Sequence, residues 1–307
     1  MSRIWNVVVS RASCAPPDPL VKSTQPCYDY AVSTDNEKTP LILITNDDGI
    51  ASPGLRAATR AVLPLGDVLV VAPSRQWSGA GRSLPHGSSG TVARRQWTIS
   101  GQSVCAYEVD GSPAAAVLHG LVELSSRRPV LLVSGINYGE NVGADITISG
   151  TVGAALEGAA RGLPAIAVSL QTPKETHTQP SDDVDFGAAV HVTRLLAELL
   201  LDITLPLDVD VLKVDVPATA TPETPWRLTR VSRHVYYMPM PPQREDLSDP
   251  VRIDYEPHPR PEETERDSDI YALAVDRVIS VSPLSYDLTS RVGRGVLEDL
   301  LRDSKDL

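Results

Sequence analysis

The most constraining feature of the sequence is a continuous apolar run, Leu41-Ile-Leu-Ile-Thr45, that stops abruptly at Asn46-Asp47-Asp48-Gly49. The run is too short for a buried helix and does not alternate, so it reads as a strand covered on both faces, the pattern of a parallel sheet. Parallel strands need crossover connections, which are usually helical. The chain supplies them in order. Ser52-Pro53 offers an N-cap and a first-turn proline for a helix through about Leu63, and Val68 to Ala72 forms the next strand. Amphipathic runs at Thr91-Ser100 and Ser103-Val109 read as a hairpin. Ser112-Pro113 opens a helix through about Ser125, Pro129 to Val133 is a third buried strand, Ser149-Gly150-Thr151 leads a helix to about Arg161, and Pro164 to Leu170 is a fourth strand. This alternation predicts an α/β fold, a Rossmann-like, mainly parallel sheet flanked by helices.

Further along, a helix is predicted over about Asp183 to Leu201 and a strand over Val209 to Val216. Residues 239–267 are dense in proline and acid and predict a surface excursion. Order returns with Ile270 to Ser282 and a helix near Tyr286 to Leu301. Residues 1–39 sustain no period able to bury a face and are expected to form a poorly ordered extension. The chain thus divides into that extension, an α/β core over 40–219, and a C-terminal arm with its return strand and helix over 220–307.

Charge narrows the partners. Acidic residues number 39 against 28 basic ones, a net charge of −11, with no long basic run, so no nucleic-acid polymer is expected as a ligand. No stretch approaches the roughly 20 apolar residues of a membrane span. Cys14, Cys27 and Cys105 form neither a disulfide framework nor a C-x-x-C pair, which makes the cytoplasm the default setting.

In an open parallel sheet, ligands bind outside the carboxyl ends of the strands. Three polar, glycine-bearing loops fall there: Asn46 to Gly49, Ser74 to Ser83, and Ser134 to Gly143. Adjacent side chains on a strand point to opposite faces, so Asp47 and Asp48 converge only where the strand has ended, and Gly49 permits that turn. Two close carboxylates favour a proton or a hard divalent cation between them. Asn-Asp-Asp-Gly is also good turn chemistry, and taken alone the tetrapeptide favours the turn. Ser78 offers a hydroxyl oxygen, although a loop serine taken alone is most often a cap or turn residue. Asn137 and Asn141 flank Gly139 and offer amide oxygens and N–H groups, or a left-handed turn. Gly150-Thr151 opens a helix and so presents an anion site, as every helix start does. The six histidines are scattered and read as structural or solvated. There is no G-x-S-x-G, Walker A, H-E-x-x-H or G-x-G-x-x-G pattern to compete.

Taken together, I-L-I-T-N-D-D-G-I-x-x-P-G from Ile42 to Gly54, V-V-A-P-S-R-Q-W-S-G from Val70 to Gly79, V-S-G-I-N-Y-G-E-N-V-G from Val133 to Gly143 and S-G-T-V-G-A-A-L-E-G from Ser149 to Gly158 resemble the SurE family of 5′/3′-nucleotidases, as does Val278-Ile-Ser-Val-Ser-Pro-Leu284. The resemblance spans roughly residues 40 to 290. It implies a metal-dependent phosphatase acting on nucleoside 5′-monophosphates, with 3′-monophosphates and short polyphosphate as further substrates. One divalent ion per subunit, Mg²⁺ or Mn²⁺, would be held by Asp47, Asp48, Ser78 and Asn137. Asp47 and Asp48 would also be the catalytic carboxylates, one of them taking the proton of an attacking water. Asn46, Asn141, Ser149, Gly150 and Thr151 would hold the phosphate. The family is commonly dimeric or tetrameric through an exchanged C-terminal hairpin and helix, a part that 220–307 could play. Gly111-Ser-Pro-Ala-Ala-Ala116 is apolar where the family often carries a polar pair, a departure away from the metal site. Two other readings remain, a nucleotide-binding module without turnover and a metal-dependent transferase on a nucleotide sugar.

Overall fold

The computed structural model describes residues 39–178 and 181–303. All of the expected extension except Thr39 lies outside the described residues. In chain order the strands and helices of the first half are β1 (Leu41–Thr45), α1 (Pro53–Val62), β2 (Asp67–Pro73), β3 (Val92–Ile99), β4 (Gln102–Val109), α2 (Pro113–His119), β5 (Leu131–Tyr138), α3 (Gly150–Ala159) and β6 (Ala165–Leu170). There follow α4 (Gly187–Asp202), β7 (Val211–Val216), β8 (Trp226–Leu228), β9 (Tyr237–Met240), β10 (Asp254–Pro257), α5 (Asp269–Tyr271), β11 (Ile279–Leu284) and α6 (Arg294–Asp303).

Nine strands form one sheet in the order β3-β4-β2-β1-β5-β6-β7-β11-β8. The run from β4 to β7 is parallel throughout, while β3 pairs antiparallel with β4, and β11 antiparallel with β7. The apolar run of β1 explains itself here. Ile42 and Ile44 pack on one face with Leu55, Ala58 and Val62 of α1 and Val192 and Leu196 of α4. Leu41 and Leu43 pack on the other with Val117 of α2 and Ala155 of α3. Each such large side chain, fully buried, contributes roughly 1.5–3 kcal/mol.

The starts of α1, α2 and α3 follow the sequence, though one of the three expected caps is not made. Ser112 and Ser149 accept the N–H of Ala115 and Val152, but the buried Ser52 hydroxyl makes no cap bond, and α1 relies on Pro53 in its first turn. The predicted helix through about Ser125 ends its regular turns at His119 and widens to a π-type turn over Gly120–Leu124. The later predictions shift in place: α4 starts at Gly187 and the C-terminal helix runs Arg294–Asp303.

The main correction concerns Ser134 to Gly143, expected as a loop. β5 continues through Tyr138, and its register against β6 slips between Ser134 and Asn137. Gly135 makes the irregularity possible, since its φ is +124° and a Cβ there would strike the Val168 carbonyl. Asn137 is therefore delivered by a bulged strand end. The chain moves from β1 to β2 on one side and returns to β5 on the other, so the crevice at the carboxyl ends of β1 and β5 is the switch point of the sheet. The acidic, proline-rich residues 239–267 are entered through β9 and include β10, which pairs antiparallel with it outside the main sheet.

Candidate active site

Asp47 and Asp48 occupy the turn that follows β1, and both are buried. The Thr151 hydroxyl donates to Asp47 Oδ1, and the backbone amides of Thr151 and Gly150 also support that carboxylate. Asp47 thus sits on the positive end of α3. Only glycine allows this approach, because a Cβ at Gly150 would lie 2.7 Å from Asp47 Cβ and Oδ2. Asp48 Oδ2 accepts the Tyr138 N–H at 3.3 Å, which ties it to the end of β5.

The second loop is stitched to the first. Trp77 N–H donates to the Asp47 carbonyl at 2.7 Å, and Gly81 N–H donates to the Ile148 carbonyl at 2.8 Å, just before α3. Gln76, which sequence reasoning passed over, links the pieces. Its Nε2 donates to Ser78 Oγ at 2.9 Å, to Asp48 Oδ1 at 3.4 Å, and to the His177 carbonyl. One amide nitrogen therefore stands where oxygens of Asp48, Ser78 and His177 converge. Asn137 Nδ2 donates to the carbonyls of Tyr138 and Gly139 at 3.1 and 2.7 Å, which leaves its side-chain oxygen as the uncommitted end.

Burial pushes the Asp47 carboxyl above its ordinary pKa, against the lowering pull of the Thr151 hydroxyl and the nearby amides. Burial, and then the negative charge of Asp47, push Asp48 well above its own. Two buried carboxylates that resist ionising together call for a cation. No cluster of three or more His, Cys, Asp or Glu side chains suited to a metal occurs among the described residues. The oxygens available are instead two carboxylates, the Ser78 hydroxyl and the Asn137 amide, a hard donor set that fits Mg²⁺ or Mn²⁺.

The residues expected on the phosphate side divide. Asn46 is buried, with Nδ2 donating to the Gly49 carbonyl at 3.1 Å and Oδ1 without a partner. Ser149 spends its hydroxyl on the cap of α3, while Gly150 and Thr151 hold Asp47. Asn141 is pinned from beneath. Its N–H donates to Asp215 Oδ1 at 2.8 Å, its carbonyl accepts Lys213 Nζ at 2.8 Å, and its Nδ2 donates to Ser169 Oγ at 2.8 Å. Lys213, Asp215 and Asp269 are fully buried, and the ammonium bonds both carboxylates, Asp269 lying 3.1 Å from Lys213 Nζ and also accepting the Gly143 N–H at 3.1 Å. Burial opposes the Lys213 ammonium, yet the two carboxylates hold its pKa above the ordinary value. Burial raises Asp215 to about 6 despite that cation, which it shares with Asp269. A lysine inside the apolar run Val211–Val216, two residues from an aspartate on the same face, was the sequence signal for this network. Among the histidines, His177 is buried and stacked on Tyr255, in keeping with a structural part.

The family model for Survival protein SurE matches residues 42–238, the stretch that contains this entire arrangement. The chain belongs to the SurE family. A protein of Archaeoglobus fulgidus named 5′-nucleotidase SurE is 41% identical over 260 residues, covering 84% of this chain and 95% of the relative. A protein of the same name from Thermococcus kodakarensis is 39% identical over 258 residues, covering 82% of this chain and 94% of its own length. The crystal structure of the Aquifex aeolicus SurE protein superposes with a TM-score of 0.65 at 31% identity, covering 85% of this chain and 99% of that one. The SurE fold, with its mainly parallel sheet, is therefore shared by this chain.

Proposed function

We propose that this SurE family member hydrolyses nucleoside 5′-monophosphates to nucleoside and phosphate with the help of one divalent ion, Mg²⁺ or Mn²⁺. The observation that carries the reading is the pair Asp47 and Asp48, buried together at the switch point of the sheet, with Gln76 bonded to both Asp48 and Ser78 and the N–H of Tyr138, the neighbour of Asn137, bonded to Asp48. The names of the relatives support the substrate. Activity on 3′-monophosphates and short polyphosphate belongs to the same proposal.

Asp47, Asp48, Ser78 and Asn137 would hold the ion. When bound, it supplies positive charge to the phosphoryl group and lowers the pKa of water beside it. Phosphoryl transfer passes through a loose transition state, so the protein's part is positioning and electrostatics. Asn141 and Asn46 orient the phosphate by their side-chain amides, with Ser149, Gly150 and Thr151 at the α3 terminus behind them. Thr151 keeps Asp47 fixed, and the less tightly engaged of the two aspartates takes the proton of the attacking water. The water attacks phosphorus directly, the P–O ester bond breaks, and the proton held by the aspartate passes to the leaving nucleoside oxygen, so that nucleoside and phosphate depart and the carboxylate is restored.

Residues 220–307 form the arm of a homodimer or homotetramer in this reading, which the exposed Val296, Leu297 and Leu301 of α6 support. No helix among the described residues is long and apolar enough to cross a membrane, and the cytoplasmic setting is part of the proposal. Phosphate release from nucleoside 5′- and 3′-monophosphates, set against diphosphate release from a nucleotide sugar, tests the function. Free phosphate from the monophosphates supports it, and diphosphate release alone favours a transferase.

A further inference from the structure

In the C-terminal arm, Arg233, His234, His258 and Arg260 line a cavity of about 240 Å³ together with Val235, Met238, Pro259, Thr264 and Ile270. The chain as a whole carries a net charge of −11, yet no carboxylate lines this cavity. Arg260 has an exposed partner in Glu263 at 3.2 Å, whereas Arg233 has no ion-pair partner among the described residues. Two guanidinium groups around a small hollow suit phosphate oxygens, which they bind in planar, bidentate fashion.

The wall of this cavity is bonded to the loop that carries Asn141. Ala144 N–H donates to the His234 carbonyl at 2.9 Å, and the N–H groups of Tyr236 and Tyr237 both donate to Asp145 Oδ2 at 3.1 Å. Ile270 lines the cavity on one side and lies so close to Gly143 on the other that a Cβ at Gly143 would sit 2.8 Å from its Cδ1. The cavity and the candidate active site thus share the segment from Asn141 to Asp145 without sharing a side chain.

We propose that this cavity is a second site, separate from the Asp47–Asp48 centre, for a small anion carrying two or more phosphate groups, and that its occupancy is felt at the Asn141 loop. Arg233 and Arg260 grip the phosphates, and His234 and His258 donate from the sides. The phosphates could belong to an inorganic chain or to a nucleotide tail. The chemistry is the same in either case.

Calorimetric titration of the full chain with pyrophosphate, in EDTA and without substrate, tests the site independently of turnover. The proposal expects binding of one equivalent per chain, retained in Asp48→Asn, weakened at least tenfold in the double variant Arg233→Gln/Arg260→Gln, and weakened less in Arg233→Lys, which keeps the charge and loses the bidentate fork. Nucleotide hydrolysis by the double variant at low phosphate is expected within twofold of the wild type. Hydrogen exchange of the Ala144 amide is expected to slow several-fold on binding. A parallel titration with ADP assigns the source: tighter binding than pyrophosphate supports a nucleotide tail, and weaker binding supports an inorganic chain. Absence of binding at millimolar pyrophosphate, loss of binding in Asp48→Asn, or equal binding in the double arginine variant would overturn the second site. Binding with unchanged Ala144 exchange would overturn its link to the loop.

Discussion

Lys213 donates its ammonium to the carbonyl of Asn141 across 2.8 Å, from a side chain with no exposure to solvent. A charge so placed is tolerable only with partners, and here Asp215 and Asp269 supply them. Because Asp215 also accepts the Asn141 N–H, both backbone groups of one loop residue are fixed by one buried ion network. Lys213→Met removes the cation and leaves two buried carboxylates. A loss of about 3–5 kcal/mol in urea unfolding is expected. Adding Asp215→Leu to Lys213→Met should recover part of that loss, since it removes one of the stranded charges.

The same network predicts a pH dependence. The folded-state pKa of Asp215 is about 6, above the ordinary 3.8, so its contribution to stability is fully present below about pH 4 and is lost as pH rises through 6. Asp215→Asn lacks this dependence. The stability difference, wild type minus Asp215→Asn, should therefore fall by roughly 2 kcal/mol between pH 4 and pH 7, read from urea midpoints at several pH values. A difference that rises over this window would contradict the assignment.

Thr151→Val keeps the shape of the side chain and removes the hydroxyl that donates to Asp47. Leaving a buried carboxylate short of one donor is expected to cost about 1–3 kcal/mol of stability. Turnover of a 5′-monophosphate should fall with it, because Asp47 loses the group that fixes its orientation. Gly150→Ala, whose Cβ would press on Asp47, should impair turnover more than Thr151→Val does.

Mn²⁺ should raise the melting temperature of the full chain by relieving the charge pair Asp47 and Asp48. At 100 times its Kd an ion adds about 2.7 kcal/mol to stability. The shift should vanish in Asp48→Asn and survive in Lys213→Arg.

Much of this was legible in the sequence for identifiable physical reasons. The run Leu41–Thr45 announces a doubly covered strand because every side chain on it is apolar, and the structure packs helices on both faces. Asp47 and Asp48 stood out because acids following such a strand must lie at its carboxyl end. The continuation of β5 through Tyr138 was hidden by Gly135, which local reading takes as a breaker although here it forms a bulge. The strands β8, β9 and β10 have three or four residues each, none of them buried, too short for a period to show. Gln76 and the Lys213 network were missed because their partners are distant in the chain: Gln76 meets His177, and Lys213 meets Asp269. Only the odd lysine in an apolar strand marked the second of these.

The most direct test of the account is phosphate release from 5′-AMP by the full chain with Mn²⁺, compared with EDTA and with Asp48→Asn. The account predicts release that requires the metal and falls by more than a hundredfold in the variant. Turnover by Asp48→Asn within about tenfold of the wild type, a barrier change of only about 1.4 kcal/mol, would contradict it.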